Sequence, residues 1–206
     1  MRGSTVVAVR TGIVVVIAAV AAVSACGAKG GAAGSPKVPS FNTSSAPASV
    51  AQGERPVPKS CGAVVTQEEV SDILQVAMSG QTLPIIGVPE PKINRTARID
   101  CYYGVPEGKD RTAAPVTVGL ASYADQPSAR KRMDATVSTE KDAGGKPGEV
   151  PVGPDRGVLL KGKQLWTLVA VRGMSTIVIT VNNDLVPEDQ ASSLIAKLAD
   201  RALTPR

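Results

Sequence analysis

The side chains that most often do chemistry are scarce here: 206 residues include no histidine and three cysteines. Without imidazole, neither a Ser-His-Asp nor a Cys-His arrangement can activate a nucleophile. The commonest transition-metal ligand is missing as well. A Ser-Lys pair needs no histidine, and two Ser-x-x-Lys spacings occur, Ser128-Ala129-Arg130-Lys131 and Ser138-Thr139-Glu140-Lys141. Both fall in one charged, helix-patterned stretch without the companion motifs of penicillin-binding proteins, so they read as coincidence. Carboxylate pairs that could serve a glycosidase are Glu68-Glu69, Glu107 with Asp110, and Glu188-Asp189. The first and last fall in first turns of expected helices, where the dipole favours acids; the second lies in a turn. Gly144-Gly145-Lys146 lacks the spacing of a phosphate-binding loop. The expectation is therefore a chain that is not an enzyme and needs no cofactor or metal.

The first cysteine points to an address. Arg2 and Arg10 precede an uncharged run, Thr11 to Ala25, rich in Val, Ile and Ala and ending in small residues. A basic start, a short apolar core and small residues at the cut describe a secretory signal peptide over 1–25. The run between Arg10 and Lys29 is 18 residues with Gly and Thr among them, shorter than the roughly 20 apolar residues of a spanning helix. Val23-Ser24-Ala25-Cys26 resembles the lipobox of bacterial lipoproteins. The resemblance implies a diacylglyceryl group on the Cys26 thiol, cleavage before it, and anchoring to the extracytoplasmic face of the cell membrane. One acyl chain binds a membrane only marginally, and diacylglycerol supplies the second.

Residues 26–60 are read as the lipidated cysteine and a disordered tether. Gly27 to Lys59 is mostly Gly, Ala, Ser, Thr and Pro, which cannot bury enough apolar surface to offset the entropy of ordering. Losing Arg2 and Arg10 with the signal peptide lowers the formal charge from +5 to +3. With five aromatic residues in the whole chain and one dense basic cluster, Arg130-Lys131-Arg132, nucleic-acid binding is not indicated. That cluster is read as the wet side of a helix.

Residues 61–206 have the length of one domain. Cys61 and Cys101 in an exported chain favour a disulfide over free thiols or a metal site. Thr66-Gln67-Glu68-Glu69 reads as a capping box. Val70, Ile73, Leu74, Ala77 and Met78 continue it as one helical face. Leu83 to Pro91 reads as an irregular apolar loop. Strands are expected at Arg98–Gly104 and Pro115–Tyr123, and a helix capped by Asp125 runs to about Asp142. A three-stranded antiparallel meander follows over 157–161, 164–172 and 175–182. Pro187 opens a last helix whose stripe is Ala191, Leu194, Ile195, Leu198, Ala199 and Ala202. The predicted class is α+β, an antiparallel sheet of about five strands packed with helices in the order α-β-β-α-β-β-β-α.

Cys61, Val65-Thr66-Gln67-Glu68-Glu69-Val70 and Cys101-Tyr102-Tyr103 together resemble small actinobacterial, mycobacterial-type secreted lipoproteins of unknown function. The element order is also similar to the PsbP/Mog-like fold. Both resemblances imply an address and a fold, not an activity. Alternation along a strand sends Tyr102 and Tyr103 to opposite faces, so one can meet a partner. The functional expectation is a lipid-anchored envelope module that binds an unknown envelope protein. The alternative is a carrier of an apolar envelope ligand such as a glycolipid, with Leu83, Ile85, Ile86 and Val88 beside Tyr102 and Tyr103 as its candidate site.

Overall fold

The computed structural model describes residues 55–205. The signal segment, Cys26 and the tether up to residue 54 lie outside the described residues. The chain forms α1 (Cys61–Val64), α2 (Gln67–Leu74), β1 (Gln81–Gly87), β2 (Arg95–Val105) and β3 (Val116–Tyr123). It continues as α3 (Gln126–Asp142), β4 (Lys146–Val152), β5 (Asp155–Lys161), β6 (Leu165–Arg172), β7 (Ser175–Asn182) and α4 (Glu188–Leu203). All seven strands form one antiparallel sheet in the order β1-β2-β3-β7-β6-β5-β4.

The α+β class and the β5-β6-β7 meander agree with the sequence reading, but the sheet has seven strands rather than five. The two additional strands are its edges. β1 contains Pro84, and β4 contains Pro147, Gly148 and Pro151. Proline lacks an amide donor, so within sheets it is tolerated at an edge, where one side of the strand has no partner. The stretch 83–91 is thus corrected from a loop to an edge strand followed by a 3-10 turn at Pro91–Ile93.

Local signals set the helix ends. Thr66 Oγ1 accepts from Glu69 N at 3.2 Å, and Thr66 N donates to Glu69 Oε2 at 2.8 Å, which is the expected capping box. Ser128 N donates to Asp125 Oδ1 at 2.7 Å at the start of α3. The helix expected to reach Met78 stops at Leu74, because Gln75 takes a left-handed backbone with φ 58°. Val76 and Met78 nevertheless remain packed on the core.

One face of the sheet is covered from β2 to β4, leaving only the β1 edge exposed. Ile99, Cys101 and Tyr103 of β2, Val118 and Leu120 of β3, and Ile177 and Ile179 of β7 are buried there. Above them α4 lays the predicted stripe of Leu194, Ile195 and Leu198, and α2 packs beside it. A disulfide joins Cys61 of α1 to Cys101 of β2, with both cysteines in this core. The second face carries α3. After β3 the chain crosses to the far edge of the sheet and returns strand by strand from β4 to β7. The 17-residue α3 makes that crossing over β3, β7, β6, β5 and β4, where Ala129 and Met133 pack with Val171. At 1.5 Å per residue it extends about 25 Å.

Candidate functional site

The path of α3 covers only part of β3 and β7, so on the second face an open area remains over β1, β2 and the rest of β3 and β7. Strand alternation decides what it presents. Arg98, Asp100 and Tyr102 of β2 alternate with the buried Ile99, Cys101 and Tyr103. Thr117 and Gly119 of β3 and Thr176, Val178 and Thr180 of β7 continue the floor, and Arg132 of α3 overhangs it. This lobe encloses about 210 Å³. It continues through Tyr102, Thr117 and Thr180 into a wider lobe of about 640 Å³ toward Arg111, Lys163 and Asn183.

The floor is organised by one ion pair. Arg98 Nε lies 2.8 Å from Asp100 Oδ2, and Nη2 donates to Oδ1 at 2.9 Å. Burial by itself disfavours the charged guanidinium, but the hydrogen bond and charge of Asp100 outweigh it and hold the Arg98 pKa above its ordinary value. Asp100 sits directly opposite Gly119. A Cβ at Gly119 would come within 2.7 Å of Asp100 Oδ1, so glycine is what gives the carboxylate room. A bulge between Arg95 and Ala97 shifts the register and sets Arg95 opposite Tyr123. Arg95 Nη2 lies 2.8 Å from Glu90 Oε2, while its Nε is buried without an acceptor. In the second lobe Asn183 Nδ2 donates to Gly162 O at 3.0 Å, and its Oδ1 is buried without a donor. Buried unpartnered atoms are rare in folded proteins. Three occur among the described residues, and two belong to residues that line this groove.

The residues singled out in the sequence divide between the two faces. Tyr102 lines the groove. Tyr103 is buried on the covered face and its hydroxyl donates to Val65 O at 2.8 Å. Leu83 and Ile85 of β1 pair with Tyr102 and Asp100, which places them on the groove side at its border. Ile86 pairs with Ile99 on the other side and is 60 % exposed, and Val88 just beyond is 76 % exposed. The expected Cys61–Cys101 disulfide is present, and Cys26 lies outside the described residues.

One member of each carboxylate pair has a structural partner. Glu69 completes the capping box and pairs with Arg201 at 3.0 Å, and Glu188 pairs with Lys161. Asp110 caps the turn at Arg111–Ala113, accepting from Thr112 N at 2.8 Å. The Thr112 hydrogen bonds hold the Asp110 pKa below the usual carboxylate value. Arg95, Arg98, Asp100, Gly119, Arg111 and Lys163 were not singled out from the sequence. The alternation Arg98-x-Asp100-x-Tyr102 marks a polar strand face. Nothing local places Arg132 or Lys163 beside it.

No family model matches the chain, and no curated protein matches it. Among solved structures, the chain is similar to the crystal structure of the extracellular domain of PknH from Mycobacterium tuberculosis. That likeness has a TM-score of 0.45 at 12% identity and covers 72% of this chain and 98% of that one.

Proposed function

We propose that this chain is a lipid-anchored module of the cell envelope that binds a ligand and performs no reaction, and that the ligand lies in the open half of the sheet. One observation carries the reading. Six strands and three helices pack one face into a closed core, whereas α3 covers only part of the other face and leaves an open groove lined by charged, hydroxyl and apolar groups. The anchor is the lipid on Cys26 and the address is the extracytoplasmic face of the cell membrane. Leu83 and Ile85 at the groove border favour a second reading, a carrier whose ligand has a polar head in the groove and an apolar tail along β1.

Two measurements test this reading. A clickable fatty acid fed to the native host is expected to label the wild-type chain and leave Cys26→Ala unlabelled and released from the membrane fraction. A photoreactive residue at Thr180, in the groove, is expected to capture a discrete species in cells. The same residue at Gln190, exposed on α4, is expected to capture none. Equal capture from both positions, or none from Thr180, would overturn the groove as the binding site.

A further inference from the structure

We infer that the groove takes an anionic ligand, specifically a phosphate group carried on a sugar or polyol. This deepens the binding reading above and rests on it. The described domain is almost neutral, with eighteen Lys and Arg against seventeen Asp and Glu in residues 55–205. Its charge is unevenly placed. The two lobes of the groove are lined by Arg95, Arg98, Arg132, Arg111 and Lys163 against the carboxylates of Asp100 and Asp184.

On the covered face Arg172 is paired with Asp155 and Asp200, Arg201 with Glu69, and Lys161 with Glu188. In the groove Arg98 is paired with Asp100 and Arg95 with Glu90. Arg132, Arg111 and Lys163 have no carboxylate within ion-pair distance among the described residues. Like charges gathered around one depression repel one another and focus a field that attracts anions. Two of the three are arginines, whose planar donor fork fits phosphate oxygens.

The floor between these charges supplies hydroxyls. Thr117 and Thr180 belong to both lobes, Thr176 to the first, and Tyr102 offers a ring and a phenol at their junction. Hydroxyl donors and one aromatic face suit a polyol better than an acyl chain. Sugar phosphates and phospholipid head groups share this chemistry. Arg132 and Lys131 are neighbours on α3 and both exposed, yet only Arg132 lines the groove. That supplies a control of identical charge.

The test uses the full chain in neutral detergent micelles, titrated with glucose 6-phosphate and with glucose while amide shifts of Thr117, Thr176 and Thr180 are followed. The phosphate ester is expected to bind at least about five-fold more tightly than glucose, the scale of one exposed ion pair. Arg132→Glu and Lys163→Glu are each expected to weaken it by about five-fold or more, with Lys131→Glu unchanged. Micelles carrying phosphatidylglycerol in place of phosphatidylcholine then decide the source. Shifts of the same threonines favour a lipid head group, and shifts with the soluble ester alone favour a free sugar phosphate. Equal affinity for glucose and its phosphate, or equal weakening by Arg132→Glu and Lys131→Glu, would overturn the anionic class. In either case, Thr180 capture in cells would leave the binding groove standing. Loss of that capture as well would remove the groove itself.

Discussion

Gly119 stands where the groove floor can least accept a side chain. A Cβ there would sit 2.7 Å from Asp100 Oδ1, and its backbone belongs to a central strand that cannot retreat. Gly119→Ala is therefore expected to push Asp100 away from Arg98 and to cost about 1–3 kcal/mol, the range of overpacking a filled site. Urea denaturation reads the cost, and an unchanged midpoint would show that the pair gives way freely. Asp125 makes a prediction about acid. Its hydrogen bonds from Ser128 hold its pKa below the usual carboxylate value. A carboxylate whose folded pKa is depressed contributes fully above its unfolded pKa of about 3.9, and that contribution is lost as pH falls through the lower folded value. Asp125→Asn keeps an oxygen that can cap but cannot titrate. It should match the wild type at neutral pH and lose less stability on acidification below about pH 4. Parallel acid limbs in the two proteins would remove Asp125 from the account. At this scale much was legible. The capping box, the Asp125 cap and the opposed directions of Tyr102 and Tyr103 each follow from one short window of residues. The Asp100–Gly119 fit was not, because it joins two strands whose register no local signal fixes.

At the scale of elements, what the sequence hid was the edges. β1 and β4 carry the proline and glycine that normally argue against a strand, and an edge position is where those residues do least harm. The open groove was hidden for a related reason. It exists because β3 connects to β4 at the opposite edge, so α3 must cross one half of the sheet. Helix length and apolar pattern do not reveal which strands a helix will cover. The disulfide, in contrast, was legible from two cysteines in a chain whose sequence reads as exported. It ties the short α1 to the long β2 across 40 residues, and this segment also holds α2 and β1. A four-residue helix has little stability of its own. Closing a loop of that length contributes about 4 kcal/mol in the chain-entropy model. Cys61→Ala with Cys101→Ala should lose stability on that scale in urea, with hydrogen exchange rising first in α1, α2 and β1. A loss spread evenly over the sheet would mean that the bridge stabilises the whole domain rather than this flap.

For the molecule as a whole, one buried cation ahead of α1 ties the described domain together. The sequence reading places the domain at 61–206, because Gly27 to Lys59 has the composition of a linker. Yet Arg55 is only 4 % exposed. Its guanidinium lies between the C-terminal ends of α1 and α4, donating to Ala202 O at 2.7 Å and Val64 O at 3.2 Å, and also to Ala63 O and Thr204 O. The last carbonyls of a helix lack partners within it and carry the negative end of its dipole, so a cation suits both ends at once. Its own carbonyl accepts from Ser175 Oγ at 3.2 Å, which adds β7 to the same junction. A single arginine in a polar stretch announces none of this; composition reads averages, and here one residue departs from its surroundings. Truncation to Cys61 removes this group and leaves several buried carbonyls without their donor. A chain starting at Cys61 is expected to be about 2–3 kcal/mol less stable than one starting at Arg55, the scale of hydrogen bonds to a charged group. Arg55→Ala in the full chain should reproduce most of that loss. Arg55→Lys should recover only part of it, because one ammonium cannot span two helix ends as a planar fork does. If both truncations unfold at the same urea concentration, residues 55–60 belong to the tether after all, and the domain begins at its first cysteine.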